Sequence, residues 1–123
     1  MVDGARSILV VDDDPSVLKL FETILKRGGY FVITAASGKR ALEILRDQTV
    51  SLVVLDISMP EPDGFEILPV IRAHLPGLRV LAVSGFLGGA LLDAAMHLGA
   101  TAALNKADAS EQLLERVNDL LRW

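Results

Sequence analysis

The stretch Ile8-Leu9-Val10-Val11-Asp12-Asp13-Asp14-Pro15 sets the reading of the whole chain. A run of four apolar residues closed by three acids reads as a buried strand that stops where charge begins. Asp14 or Asp13 can then cap a helix that carries Pro15 in its first turn, where a missing N–H costs nothing. Val17, Leu18, Phe21, Ile24 and Leu25 follow the three-four spacing of one buried helix face, and Gly28 and Gly29 stop it.

The same alternation recurs outward from this unit. Phe31 to Ala35 reads as a second strand, and Ser37 caps a helix running to Arg46 with Ala41, Leu42 and Leu45 inward. Leu52 to Leu55 is a third strand, apolar throughout and therefore covered on both faces, and it ends at Asp56. After the loop Ile57 to Pro62, Asp63 and Glu66 form a capping pair for a helix holding Phe65, Leu68, Ile71 and Leu75. Pro69 inside that helix removes one hydrogen bond. Arg79 to Val83 is a fourth strand ending at Ser84. The loop containing Gly85, Gly88 and Gly89 leads to a helix from Leu91 to Leu98, stopped by Gly99. Thr101 to Asn105 is a fifth strand ending at Lys106. Asp108 and Glu111 make another capping pair, and the last helix turns Leu113, Leu114, Val117, Leu120 and Leu121 inward.

Five strand-then-helix units predict an α/β fold, a parallel sheet with helices on both faces. Its length of 123 residues fits a single domain, with 1–7 as an N-terminal extension and 8–123 as the core. The formal net charge of −4 gives no basic footprint for nucleic acid, so direct contact with it is not expected. Without cysteine, disulfides, thiolate metal sites and cysteine catalysis are excluded. No signal peptide or membrane-spanning run stands out, and a cytoplasmic protein is expected.

In a doubly wound sheet, ligands bind beyond the C-terminal strand ends. The strand ends here are Asp12 and Asp13, Asp56, Ser84 and Lys106. Clustered carboxylates repel unless a cation sits among them, and oxygen-only ligands suit Mg²⁺. Lys106 can hold one phosphate oxygen and the Ser84 hydroxyl another. Asp56 is then a nucleophile whose attack on phosphorus gives an aspartyl phosphate. Taken singly, each residue has an ordinary explanation in helix capping, turn chemistry or surface charge. Their joint position at strand ends is what favours the site. His74 and His97 lack ligand spacing, and Trp123 reads as a packing residue.

Two segments carry a resemblance. Ile8 to Pro15 resembles the opening of response-regulator receivers, and Asp56-Ile57-Ser58-Met59-Pro60-Glu61-Pro62-Asp63-Gly64 resembles their phosphoacceptor loop, D-x-x-M-P-x-x-D-G. Val83-Ser84-Gly85 and Lys106 fall where that family has its hydroxyl and its lysine. The resemblance implies a flavodoxin-like sheet of order 2-1-3-4-5. It also implies phosphorylation of Asp56, and Mg²⁺ held directly by Asp13, Asp56 and the backbone carbonyl of Ser58, with Asp12 acting through water. Lys106 and Ser84 would contact the phosphoryl group. The implied donor is a sensor histidine kinase or histidine phosphotransfer protein. The implied response is altered binding of an output partner or output domain through the face from strand four to helix five. Homodimerisation stays open, and no turnover of an external substrate is expected beyond self-phosphorylation and autodephosphorylation.

The chain departs from the family pattern at Ala107, where proline usually follows the lysine, and at Ala103, where Tyr or Phe is common. A pseudo-receiver that works without phosphorylation is the second reading, and the intact set Asp12, Asp13, Asp56, Ser84 and Lys106 argues against it. A phosphatase or dehalogenase with an Asp nucleophile usually has a second acid two residues on, where this chain has Ser58. A flavodoxin would need a Ser/Thr/Gly-rich phosphate loop after strand one.

Overall fold

The computed structural model describes residues 6–59, 64–85 and 90–122. Five parallel strands, β1 (Ser7–Val11), β2 (Phe31–Ala35), β3 (Leu52–Asp56), β4 (Arg79–Ser84) and β5 (Ala102–Asn105), form one sheet of order β2-β1-β3-β4-β5. The helices α1 (Pro15–Arg27), α2 (Gly38–Asp47), α3 (Gly64–His74), α4 (Ala90–His97) and α5 (Ala109–Leu121) connect them. Two apolar layers sandwich the sheet. Phe21 and Leu25 of α1 and Leu113, Val117 and Leu121 of α5 pack with Ile8, Val10, Val54 and Leu81 on one face. Ala41 and Ile44 of α2, Ile67, Leu68 and Ile71 of α3 and Ala95 of α4 pack with Leu9, Val53, Leu55 and Val80 on the other. The middle strand β3 is buried along its whole length, as an apolar run covered on both faces requires.

Local sequence chemistry accounts for most boundaries. The Asp14 side chain accepts from the Ser16 amide at the start of α1, and the Ser37 hydroxyl accepts from the Arg40 amide at the start of α2. Gly29 turns the chain at φ +94°, which a side chain would strain. Five expectations shift. In α2, Ala41 is buried as expected and Ile44 is buried with it, while Leu42 and Leu45 are only partly buried. Leu75 falls just past α3 and is exposed. Asp108 does not cap α5 through its side chain, because a 3-10 turn at Lys106–Asp108 runs straight into the helix and puts Asp108 in helical backbone. Ser7 belongs to β1, and β5 begins one residue later than its apolar pattern suggests. The Asp63–Glu66 pair, the glycines at 88 and 89 and Trp123 involve positions outside the described residues.

One side chain holds the sheet edge that delivers β5. The Arg72 guanidinium, in the last turn of α3, donates to the carbonyls of Leu75, Pro76 and Leu78 at 3.2, 2.8 and 2.7 Å. It also donates twice to Gly99 O, at 3.0 and 2.6 Å, in the turn between α4 and β5. Gly99 sits at φ +116°, and a Cβ there would come within 3.1 Å of Arg72 Cγ. Arg72 thus places positive charge and hydrogen-bond donors at the C-terminal ends of both helices. Arg72→Met should lose about 2–3 kcal/mol of stability, the worth of charged hydrogen bonds to main-chain carbonyls. Urea unfolding checks this as a lowered midpoint at unchanged slope.

Candidate functional site

The strand register brings the strand ends to one level. Val11 pairs with Leu55, so Asp12 and Asp56 emerge side by side. Asp56 is itself level with Val83, and Ser84 with Asn105, which sets Ser84 and Lys106 on the same edge. Backbone bonds hold the two acidic positions there: the Asp12 amide donates to Ala35 O at 3.1 Å and the Ile57 amide to Val83 O at 3.0 Å.

Asp12, Asp56 and Ser84 are buried, with 1 %, 3 % and 0 % exposure, while Asp13 is exposed. Lys106 Nζ lies 2.7 Å from Asp12 Oδ2 and 3.2 Å from Asp56 Oδ2. Asp12 Oδ2 is thus buried with the Lys106 ammonium as its partner. The other oxygen of Asp12 accepts from the Asp14 amide at 2.9 Å. Asp56 Oδ1 accepts from both the amide and the hydroxyl of Ser58, at 2.9 and 2.8 Å. The hydroxyl contact was not foreseen, because a serine two residues after an acid looks like any turn serine. Asp14 stands apart, its side chain engaged by the Ser16 amide and hydroxyl.

The charges decide what the cleft can hold. Asp12, Asp13 and Asp56 each offer an oxygen within 4.8 Å of the others. Three carboxylates face one ammonium, a formal excess of two negative charges, which a divalent cation would neutralise. The donor set is oxygen only, three carboxylates within reach of one another, which fits a hard cation such as Mg²⁺. Burial pushes the Asp12 carboxyl above the ordinary range and the nearby Asp56 charge adds to this, against the opposing pull of Lys106 and the Asp14 amide. Burial alone would lower the Lys106 ammonium, but the carboxylates of Asp12 and Asp56 outweigh it and raise it. The structure therefore brings together Asp12, Asp13, Asp56 and Lys106, with Ser58 on Asp56 and Ser84 buried on the same edge.

The response regulator receiver domain model matches residues 8–118. This chain belongs to the receiver family. The transcriptional regulatory protein GltR of Pseudomonas aeruginosa is 34% identical over 99% of the chain, and GlrR of Escherichia coli K12 is 35% identical over 93%. The chain spans 51% of the length of GltR and 26% of that of GlrR. Among solved structures, a CheY-like receiver domain protein from Methanospirillum hungatei superposes with a TM-score of 0.89 at 28% identity, covering 97% of this chain and 95% of that one. The response regulator TrrA of Thermotoga maritima, solved in complex with Mg²⁺-BeF, superposes with a TM-score of 0.85 at 29% identity, covering 94% and 99%. The sheet order anticipated from the resemblance is the one observed. Among the described residues, no helix of the receiver is long and apolar enough to cross a membrane.

The raised Asp12 carboxyl has a consequence for metal-free receiver. A folded-state pKa above the unfolded value of about 3.9 means that the folded state holds the proton more tightly. Asp12 therefore favours folding below that value, and this contribution is lost as pH rises through the folded pKa. Asp12→Asn removes the ionisation. Urea midpoints measured in chelator from pH 4 to 8 should fall less with rising pH in the variant than in the wild type.

Proposed function

We propose that this receiver accepts a phosphoryl group on Asp56 in a Mg²⁺-dependent reaction. The observation that carries the proposal is the environment of Asp56: a buried carboxylate with Ser58 on one oxygen and Lys106 on the other, beside two further acids. Asp56 Oδ2, on the Lys106 side, is the nucleophilic atom in this reading. Its lone pair forms the new bond to phosphorus while the bond to the donor's leaving group breaks and its electron pair departs with that group.

The residues of the chain divide the remaining work. Lys106, already at the Oδ2 side, takes up an oxygen of the incoming phosphoryl group as a point charge. Ser84, on the adjacent strand end, donates its hydroxyl to another. Asp12, Asp13, Asp56 and the backbone carbonyl of Ser58 would hold Mg²⁺. When bound, the ion supplies charge neutralisation between the carboxylates and the phosphoryl oxygens. The donor in this reading is a phosphohistidine on a sensor kinase or a phosphotransfer protein. The phosphorylated state then changes binding of an output partner or domain through the face from β4 to α5. The acidic composition argues against nucleic-acid contact by this domain, and self-phosphorylation with autodephosphorylation is its only proposed chemistry.

Incubation with acetyl phosphate and Mg²⁺ should add the mass of one phosphoryl group to the wild type and none to Asp56→Asn. Equal labelling of the variant would refute the assignment. Mg²⁺ should also raise the thermal midpoint, and raise it less in Asp13→Asn, since a ligand that binds only the folded state stabilises it by mass action.

A further inference from the structure

We propose that Asn105 is a positioning residue for Lys106: its side-chain carbonyl, bonded to the Ala107 amide, fixes the backbone from which the ammonium reaches Asp12 and Asp56. The inference rests on the phosphoacceptor reading and deepens it.

The edge strand β5 is held on one side only, and Asn105 opposite Ser84 is its last pair with β4. Lys106 is therefore the first residue outside the ladder, on the segment least supported by the sheet. Its neighbours are small. Ala107 is exposed, and Ala103 gives no ring to pack against. The long stem of a lysine has many rotamers, so an ammonium at 2.7 and 3.2 Å from two carboxylates needs a fixed root.

Two hydrogen bonds fix that root. The Ala107 amide donates to Asn105 Oδ1 at 3.0 Å, and the Ala109 amide donates to Lys106 O to close the 3-10 turn. A three-residue 3-10 turn has poor intrinsic hydrogen-bond geometry and needs outside support. Asn105 supplies it, at extended backbone angles of φ −71° and ψ 133° that let its side chain cap the turn. The stem then runs past the end of β4, where a Cβ on Gly85 would lie 3.6 Å from Lys106 Cδ.

The bond also explains how this receiver works with alanine after its lysine. Proline has no N–H and could not make it. Where the family pattern restrains the segment with a proline ring, this chain pairs an asparagine before the lysine with an N–H after it. The two positions act as one device, and neither alone shows it in the sequence.

The test compares wild type, Asn105→Ala and Asn105→Ser, using acetyl phosphate with titrated Mg²⁺ and intact mass, alongside amide exchange in chelator. Asn105→Ala should slow labelling about three- to tenfold, the worth of one net hydrogen bond. Its Mg²⁺ half-saturation should stay within about twofold of wild type, because Asp12, Asp13 and Asp56 are untouched, and a single net hydrogen bond is worth more than that. The Ala107 amide should lose exchange protection. Asn105→Ser should recover most of the rate, since a serine hydroxyl can accept from the amide two residues on. Unchanged labelling, no recovery with serine, or an equal loss of Mg²⁺ affinity would overturn the proposal. If Asn105→Ala does not fold, Asn105→Gln, which keeps the amide but displaces the acceptor, must show the same slowing. Wild type that takes up no phosphoryl group would instead remove the phosphoacceptor reading beneath it, whatever the exchange data show.

Discussion

Lys106 lies between two buried carboxylates, and the arrangement of the whole edge depends on that contact. Without an ammonium, Asp12 and Asp56 would face each other across adjacent strand ends with almost no water to screen them. At such separations like charges cannot both stay ionised at low cost. One lysine relieves the repulsion and leaves the cleft with excess negative charge. A site so arranged is folded and unsatisfied at once. That surplus of negative charge is what would draw in a divalent cation and, with it, a dianionic phosphoryl group.

The parallel sheet makes this contact geometrically cheap. All five strands point the same way, so every strand end reaches one edge whatever the distance along the chain. Residues 12, 56, 84 and 106 are spread over most of the sequence, yet the register sets them on one level without any special loop. The apolar layers on both faces do the remaining work. They hold β1 and β3 dry and rigid, so the acids that follow emerge from fixed positions.

The elements that sequence made legible were those with strong local chemistry. Ile8 to Val11 and Leu52 to Leu55 could only be buried strands, and Asp14 and Ser37 announced their helices. The acidic, hydroxyl and basic residues at strand ends were legible for the same reason, since charge terminates an apolar run visibly. What sequence concealed was choice among equivalents. Leu42, Ile44 and Leu45 all fit an inward helical face, and only the sheet decides that Ile44 goes deepest. Asp108 and Glu111 match a capping pattern, yet the turn from β5 enters α5 already helical and leaves the cap unused. The Ser58 hydroxyl on Asp56 and the Asn105 side chain on Ala107 depend on short-range geometry that residue types do not encode.

The Arg72 contacts give α4 two unlike ends. Its C-terminal end is tied through Gly99 to α3, while its N-terminal end follows the strand that carries Ser84. Gly99 is thus the tethered end of the helix, and Ala95 in its middle is buried against the sheet. Eight residues at about 1.5 Å each make an arm of about 12 Å, so a tilt of about 10° about Gly99 would carry the N-terminal end about 2 Å. A small displacement beside Ser84 would thus emerge as a swing of one helix against the sheet, with Arg72 holding its C-terminal end in place.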